Sequence, residues 1–150
     1  MPQLTTGDAA PRFALADQNG NTVRLADFSG RKLFVYFYPK AGTPGCTTQS
    51  CEVRDARAEL GVDVVGISPD APNKQARFDE KYSLGFPLLA DTDHAVAEAF
   101  GVWGEKKNYG KTYMGIIRSA FLIDEKGKIA GAWYKVSPKD TVPNALAALG

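Results

Sequence analysis

Cys46 and Cys51 are the two cysteines of this chain, five residues apart, and their setting suits thiol chemistry. Cys46 ends the stretch Tyr38-Pro39-Lys40-Ala41-Gly42-Thr43-Pro44-Gly45-Cys46, which reads as a loop closing on a helix start. Thr43 has the side chain of an N-cap, and Pro44 suits the first helical position. Cys46 then falls in the first turn, where backbone N–H groups lack intrahelical acceptors and the helix dipole presents its positive end. Negative charge is stabilised there, so Cys46 is a candidate nucleophile in its thiolate form. With Cys51 nearby, it is also a candidate redox couple. Read against this, cysteine is often a small core hydrophobe, but a glycine–proline loop at a helix start is a poor place for one.

Such a thiol needs a rigid platform, and the order of elements supplies one. Residues 32–38 form a continuous apolar run, the mark of a strand buried on both faces. Residues 43–60 then read as a helix with Val53, Ala56 and Leu60 on one face and Gly61 as C-cap. Residues 62–68 are a second buried strand, residues 73–82 a helix entered through Pro72, residues 88–90 a short strand and residues 95–100 a helix. Ahead of these, residues 13–15 and 23–25 flank Asn19-Gly20, a hairpin signal. After them, residues 101–116 read as an irregular stretch, and residues 105–113 in it as a solvated loop, with Trp103, Tyr109 and Met114 able to add apolar surface near a pocket or a self-association face. Residues 120–123 and 129–134 are strands joined at Asp124-Glu125-Lys126-Gly127, and residues 141–149 a last helix. This alternation predicts an α/β layer structure with a mixed central sheet, in a single domain spanning 1–150.

Composition narrows the function classes. An apolar fraction of 44% in 150 residues supplies a core without staples, and a net charge of +1 gives no electrostatic ground for nucleic acid or an anionic membrane as partner. No apolar run is long enough to span a bilayer. The N-terminal Met1-Pro2-Gln3-Leu4-Thr5-Thr6-Gly7-Asp8 has the features of no secretion signal. Two cysteines in that context read as reduced, catalytic or sensing thiols in the cytoplasm, the default location. His94, the single histidine, cannot build a metal site with two such cysteines and reads as a helix-cap or surface residue, so no metal or cofactor is expected.

Pro39, Thr43 and Cys46 make the pattern Pro-x-x-x-Thr-x-x-Cys between a buried strand and a helix. With it the sequence resembles the peroxiredoxins, and Thr-Pro-Gly-Cys with a cysteine five residues on is similar to the bacterioferritin-comigratory-protein/PrxQ subgroup. The resemblance runs from Gly7-Asp8-Ala9-Ala10-Pro11-Arg12-Phe13 through Val65-Gly66-Ile67-Ser68 to Ile117-Arg118-Ser119-Ala120-Phe121-Leu122-Ile123-Asp124. It implies a thioredoxin-like fold, Cys46 as the peroxidatic and Cys51 as the resolving cysteine, and Arg118 as the active-site arginine. It implies a peroxidase for hydrogen peroxide and organic hydroperoxides that forms an intramolecular Cys46–Cys51 disulfide and is recycled by thioredoxin or a similar dithiol. Without the resemblance, Cys51 reads equally as helix filler, Arg118 as a surface or structural arginine, and Pro39 as strand-end punctuation. One departure is Lys40-Ala41-Gly42, where the subgroup often carries an acidic residue.

The residue types fit that reaction. A thiolate attacks one peroxide oxygen while negative charge grows on the other, and the planar, permanently cationic fork of Arg118 can bind both oxygens. Thr43 offers a hydroxyl, and the N–H groups near Gly45 and Cys46 can face the developing charge. Gly45 also permits close approach to the backbone. Pro39 helps wall off the pocket. A thioredoxin-like disulfide oxidoreductase is the rival enzyme, disfavoured because no Cys-x-x-Cys is present. A peroxide-sensing redox switch is the non-enzymatic rival. A monomer is expected, with a weak homodimer as the alternative.

Overall fold

In the computed structural model, which describes residues 3–150, the chain opens with the expected hairpin. β1 (Ala14–Ala16) and β2 (Thr22–Arg24) pair antiparallel. Asp17 closes the loop between them by accepting from the N–H groups of Asn19 and Asn21 at 2.9 and 3.0 Å. Met1 and Pro2, the first residues of the stretch read as lacking a secretion signal, lie outside the described residues. There follow β3 (Leu33–Phe37), α1 (Pro44–Leu60), β4 (Asp63–Ser68), α2 (Pro72–Tyr82), β5 (Leu88–Ala90) and α3 (Ala95–Ala99). β6 (Trp103–Asn108), β7 (Lys111–Ile116), β8 (Ser119–Ile123), β9 (Ile129–Trp133) and α4 (Thr141–Leu149) complete the order, with 3-10 turns at Leu25–Phe28 and Pro138–Asp140. Among the described residues no helix is long and apolar enough to cross a membrane.

The strands make the mixed sheet that the alternation predicts, in the order β2-β1-β5-β4-β3-β8-β9. β3 lies inside it, parallel to β4 and antiparallel to β8, so each of its faces needs an apolar covering. Leu33, Val35 and Phe37 point into one core layer with Phe100, Phe121, and Val96 and Ala97 of α3. Phe34, Tyr36 and Tyr38 point into the other, against Val53 and Leu60 of α1, Phe78 of α2 and Val142 and Ala145 of α4. The period of two is thus present along β3, concealed in the sequence because both faces are apolar. Gly61 ends α1 in the left-handed region (φ 65°) and returns its N–H to Arg57 O at 3.0 Å, as a C-cap glycine does.

One expectation is corrected. Residues 101–116 are not irregular: β6 and β7 form a two-stranded antiparallel sheet of their own. Tyr109 (φ 52°) and Gly110 (φ 77°) both adopt positive φ at its tip, the requirement of a tight two-residue hairpin turn. The strands are rich in Lys and Gly and largely solvated, so no apolar alternation marks them. At the root, Ile117 donates its N–H to Val102 O at 2.7 Å, and Val102 and Ile116 are core residues. Arg118 follows immediately, between the foot of this hairpin and the start of β8.

Candidate active site

The chain leaves β3 through buried Tyr38 and the half-buried Pro39 and must be held before it enters α1. A chain of buried polar groups holds it. Tyr38 donates its hydroxyl to Gln75 Oε1 of α2, Gln75 Nε2 donates to Ser68 Oγ at 2.8 Å, and Ser68 donates to Asp70 Oδ2 at 2.7 Å. Asp70 Oδ2 in turn accepts from the N–H of Ala41 at 2.7 Å. The loop Lys40-Ala41-Gly42 is thus tied through its backbone to the carboxylate of Asp70. Burial first, and then the neighbouring Tyr36, push the Tyr38 phenol well above its ordinary range, so it serves as a neutral donor.

Thr43 occupies the N-cap position of α1 (φ −76°, ψ 155°), but its hydroxyl makes no cap hydrogen bond. It donates instead to Lys40 O at 2.7 Å, across the turn that closes the loop. This corrects the expectation of a side-chain cap, and with it the roughly 1 kcal/mol that such a cap contributes. The first-turn N–H groups that a capping oxygen would occupy remain turned to the open end of the helix.

Cys46 is buried, 1% exposed, in that first turn. Arg118 Nη2 donates to its Sγ at 3.4 Å, and the guanidinium passes so close to Gly45 that a Cβ there would stand 3.2 Å from Nη2. A side chain at position 45 would therefore press on the guanidinium, which would have to shift by a few tenths of an ångström. The other arm of the fork, Nη1, donates to Gln49 Oε1 at 2.6 Å. Gln49 Nε2 donates to Thr141 Oγ1 at 2.9 Å, and both of these side chains are fully buried. Sequence reasoning missed Gln49 and Thr141. Gln49 lies three residues after Cys46, on the same helix face, which was the one signal available.

Cys51 sits further along α1, half-buried, and both cysteines are free thiols. Between them Ser50 shares a 2.8 Å hydrogen bond with Tyr36 OH. Tyr36 fits because its β4 neighbour is Gly66, where a Cβ would come within 2.9 Å of the ring. Burial raises the Tyr36 phenol far above its ordinary range, the Ser50 hydrogen bond opposing. On the hairpin, Lys106 Nζ donates to Ile116 O at 2.8 Å. Its ammonium is pushed to lower pKa by burial and then by the Arg118 charge, with Cys46 acting the other way, so Lys106 is a further cation in the field of the site. His94 takes the N-cap position of α3 with its backbone, without a side-chain cap hydrogen bond, and its ring lies flat on Trp103 with centroids 3.8 Å apart.

The sequence pattern of the AhpC/TSA family matches residues 6–132. The chain is 55% identical over 143 residues to a protein of Haemophilus influenzae named putative peroxiredoxin bcp, covering 93% of this chain and 92% of that one. It is 59% identical over 132 residues to peroxiredoxin Bcp of Escherichia coli, covering 86% and 85%. A solved structure of the Xanthomonas campestris bacterioferritin comigratory protein, described for its alkyl peroxide reduction activity, superposes with a TM-score of 0.85 at 36% identity, over 91% of this chain and 89% of that one. The mixed sheet with flanking helices is thus the thioredoxin-like fold of such proteins.

Proposed function

Because the chain belongs to the AhpC/TSA family as a peroxiredoxin of the Bcp type, a thiol-dependent peroxidase, we propose that residues 1–150 act as one catalytic domain whose cycle runs through Cys46 and Cys51. The observation that carries the reading is the Arg118 fork, one arm 3.4 Å from Cys46 Sγ in an uncapped first turn. The Cys46 thiolate attacks one oxygen of hydrogen peroxide or an organic hydroperoxide. The S–O bond forms as the O–O bond breaks, and the leaving oxygen departs as hydroxide or alkoxide and takes a proton. Arg118 and the first-turn N–H groups stabilise that charge. The Thr43 hydroxyl has its proton on Lys40 O, so it meets the peroxide as an acceptor of the peroxide O–H. Cys51 then attacks the Cys46 sulfenic acid, releasing water and leaving a disulfide, which thioredoxin or a similar dithiol reduces.

Peroxide consumption coupled to thioredoxin and its reductase tests this cycle. The Cys51→Ser variant should keep one fast oxidation per thiol, lose turnover with thioredoxin, and accumulate Cys46 sulfinic acid, read by mass spectrometry. Normal turnover by that variant would remove Cys51 from the cycle.

The disulfide requires part of α1 to unwind. Five residues of α-helix advance about 7.5 Å and turn by about 140°, which sets the two Cα atoms roughly 8–9 Å apart. A disulfide needs them within about 4.4–6.8 Å. The first turns have little helix preference of their own, since Gly45, Thr47, Thr48 and Ser50 are weak helix formers. Side-chain contacts hold them, Ser50 with Tyr36 and Gln49 with Thr141, and among the described residues Thr47 Oγ1 has no hydrogen-bond partner. Beyond Val53 the helix is tethered, Arg54 Nη1 donating to Tyr82 O at 2.6 Å and Arg57 Nη1 to Gly85 O at 2.8 Å. Amide hydrogen exchange should therefore show residues 45–53 losing protection in the Cys46–Cys51-linked form while the rest of α1 keeps it. Equal protection of this segment in both redox forms would contradict the unwinding.

A further inference from the structure

We propose that Thr141 is a positioning residue for Arg118, acting through the Gln49 amide. The inference rests on the reading that Arg118 acts on the peroxide. Thr141 opens α4, and its hydroxyl donates to Ser137 O at 3.1 Å. With that proton committed, what Thr141 presents to Gln49 is a lone pair, and it takes the Nε2 end of the amide at 2.9 Å. Arg118 can only donate, and it takes the Oε1 end at 2.6 Å. The two neighbours thus select the same orientation of an amide that is 0% exposed. Nη1 and Nη2 belong to one rigid plane, so an acceptor fixed at Nη1 fixes the direction of Nη2, which points at Cys46 Sγ.

The segment bearing Thr141 is also keyed to Arg118 and to the first turn of α1. Val136 donates its N–H to Arg118 O at 2.9 Å, and the Pro138 ring lies beside Gly45, where a Cβ would meet its Cγ at 3.6 Å. Thr141→Val keeps the branched shape that packs in the core but offers Gln49 Nε2 nothing. The amide is then held at one end, pivots to find a partner, and takes with it the acceptor that aims the guanidinium.

The test is the single-turnover rate of Cys46 oxidation by hydrogen peroxide, set beside alkylation of the same thiol by iodoacetamide, which requires no aligned oxygen. Thr141→Val should lower the peroxide rate about tenfold and the alkylation rate by less than about twofold, and Thr141→Ser should restore the peroxide rate to within about twofold of wild type. In a Gln49→Glu background a carboxylate holds the guanidinium by charge whichever way it turns, so adding Thr141→Val should cost less than about twofold. Equal losses for the Val and Ser variants, equal losses toward both reagents, or the full loss in the Gln49→Glu background would each overturn the proposal. Should Thr141→Val fail to fold, Thr141→Ala carries the same expectations. An unchanged peroxide rate in Arg118→Lys would instead overturn the reading beneath it, whereas loss in Arg118→Lys with none in Thr141→Val overturns this inference alone.

Discussion

Cys46→Ser is expected to abolish peroxide reduction with every peroxide and every reductant, and to leave the fold intact. Serine is nearly isosteric, and the buried first turn of α1 accommodates it without rearranging the loop that Asp70 and Lys40 hold. What it lacks is the nucleophile, because a serine hydroxyl is far less acidic than a thiol and its oxygen attacks peroxide far more poorly than sulfur. Peroxide consumption should fall to the background of the reductant alone, with an unfolding midpoint close to wild type. Residual thioredoxin-dependent turnover above that background would mean that Cys51 can initiate the reaction and that the two thiols have been assigned the wrong way round.

The second large effect is at Arg118. Arg118→Ala should lower the second-order rate with hydrogen peroxide by about 10²–10³-fold, the usual cost of losing a donor aimed at charge that develops in the transition state. Arg118→Lys should fall between, since an ammonium keeps the charge but cannot span Gln49 Oε1 and Cys46 Sγ, the two acceptors that the fork joins at 2.6 and 3.4 Å. Stopped-flow oxidation of the reduced variants measures this directly. Reduction of the oxidised variants by dithiothreitol should be nearly unaffected, because that step leaves the peroxide pocket unused. Equal losses in both half-reactions would mean that Arg118 supports the fold rather than the chemistry.

Much of the scaffold was legible in the sequence because it is encoded locally. The apolar run of β3, the proline and glycine that bracket α1, and the Asn19-Gly20 and Asp124–Gly127 turns each carry their own signal. The β6–β7 hairpin was not legible, since its lysines and glycines show no buried face and its turn announces itself only through Gly110. Cys46 stood out for its loop. Arg118 was legible through family resemblance alone, because nothing in its own surroundings says that it reaches a thiol 72 residues away. Gln49 carries no local mark of a role apart from its spacing from Cys46, and Thr141 reads only as the start of the last helix. Their burial is a property of how α1 and α4 meet, which no local pattern records. The Thr43 hydroxyl was misassigned for a related reason: the turn that brings Lys40 O to it lies in a loop held at Ala41 by Asp70, 29 residues further along the chain.

The hydrogen bonds that aim the guanidinium have a consequence for how the molecule comes to life. They join residues 69, 72 and 92 positions apart along the chain, which are among the last contacts a folding polypeptide closes, since each must offset the entropy of a long loop. A nascent or partly folded chain therefore carries its thiol well before it carries a directed cation beside it. The aim of the guanidinium at Cys46 is thus a property of the whole fold, complete only when α4 brings Thr141 against Gln49.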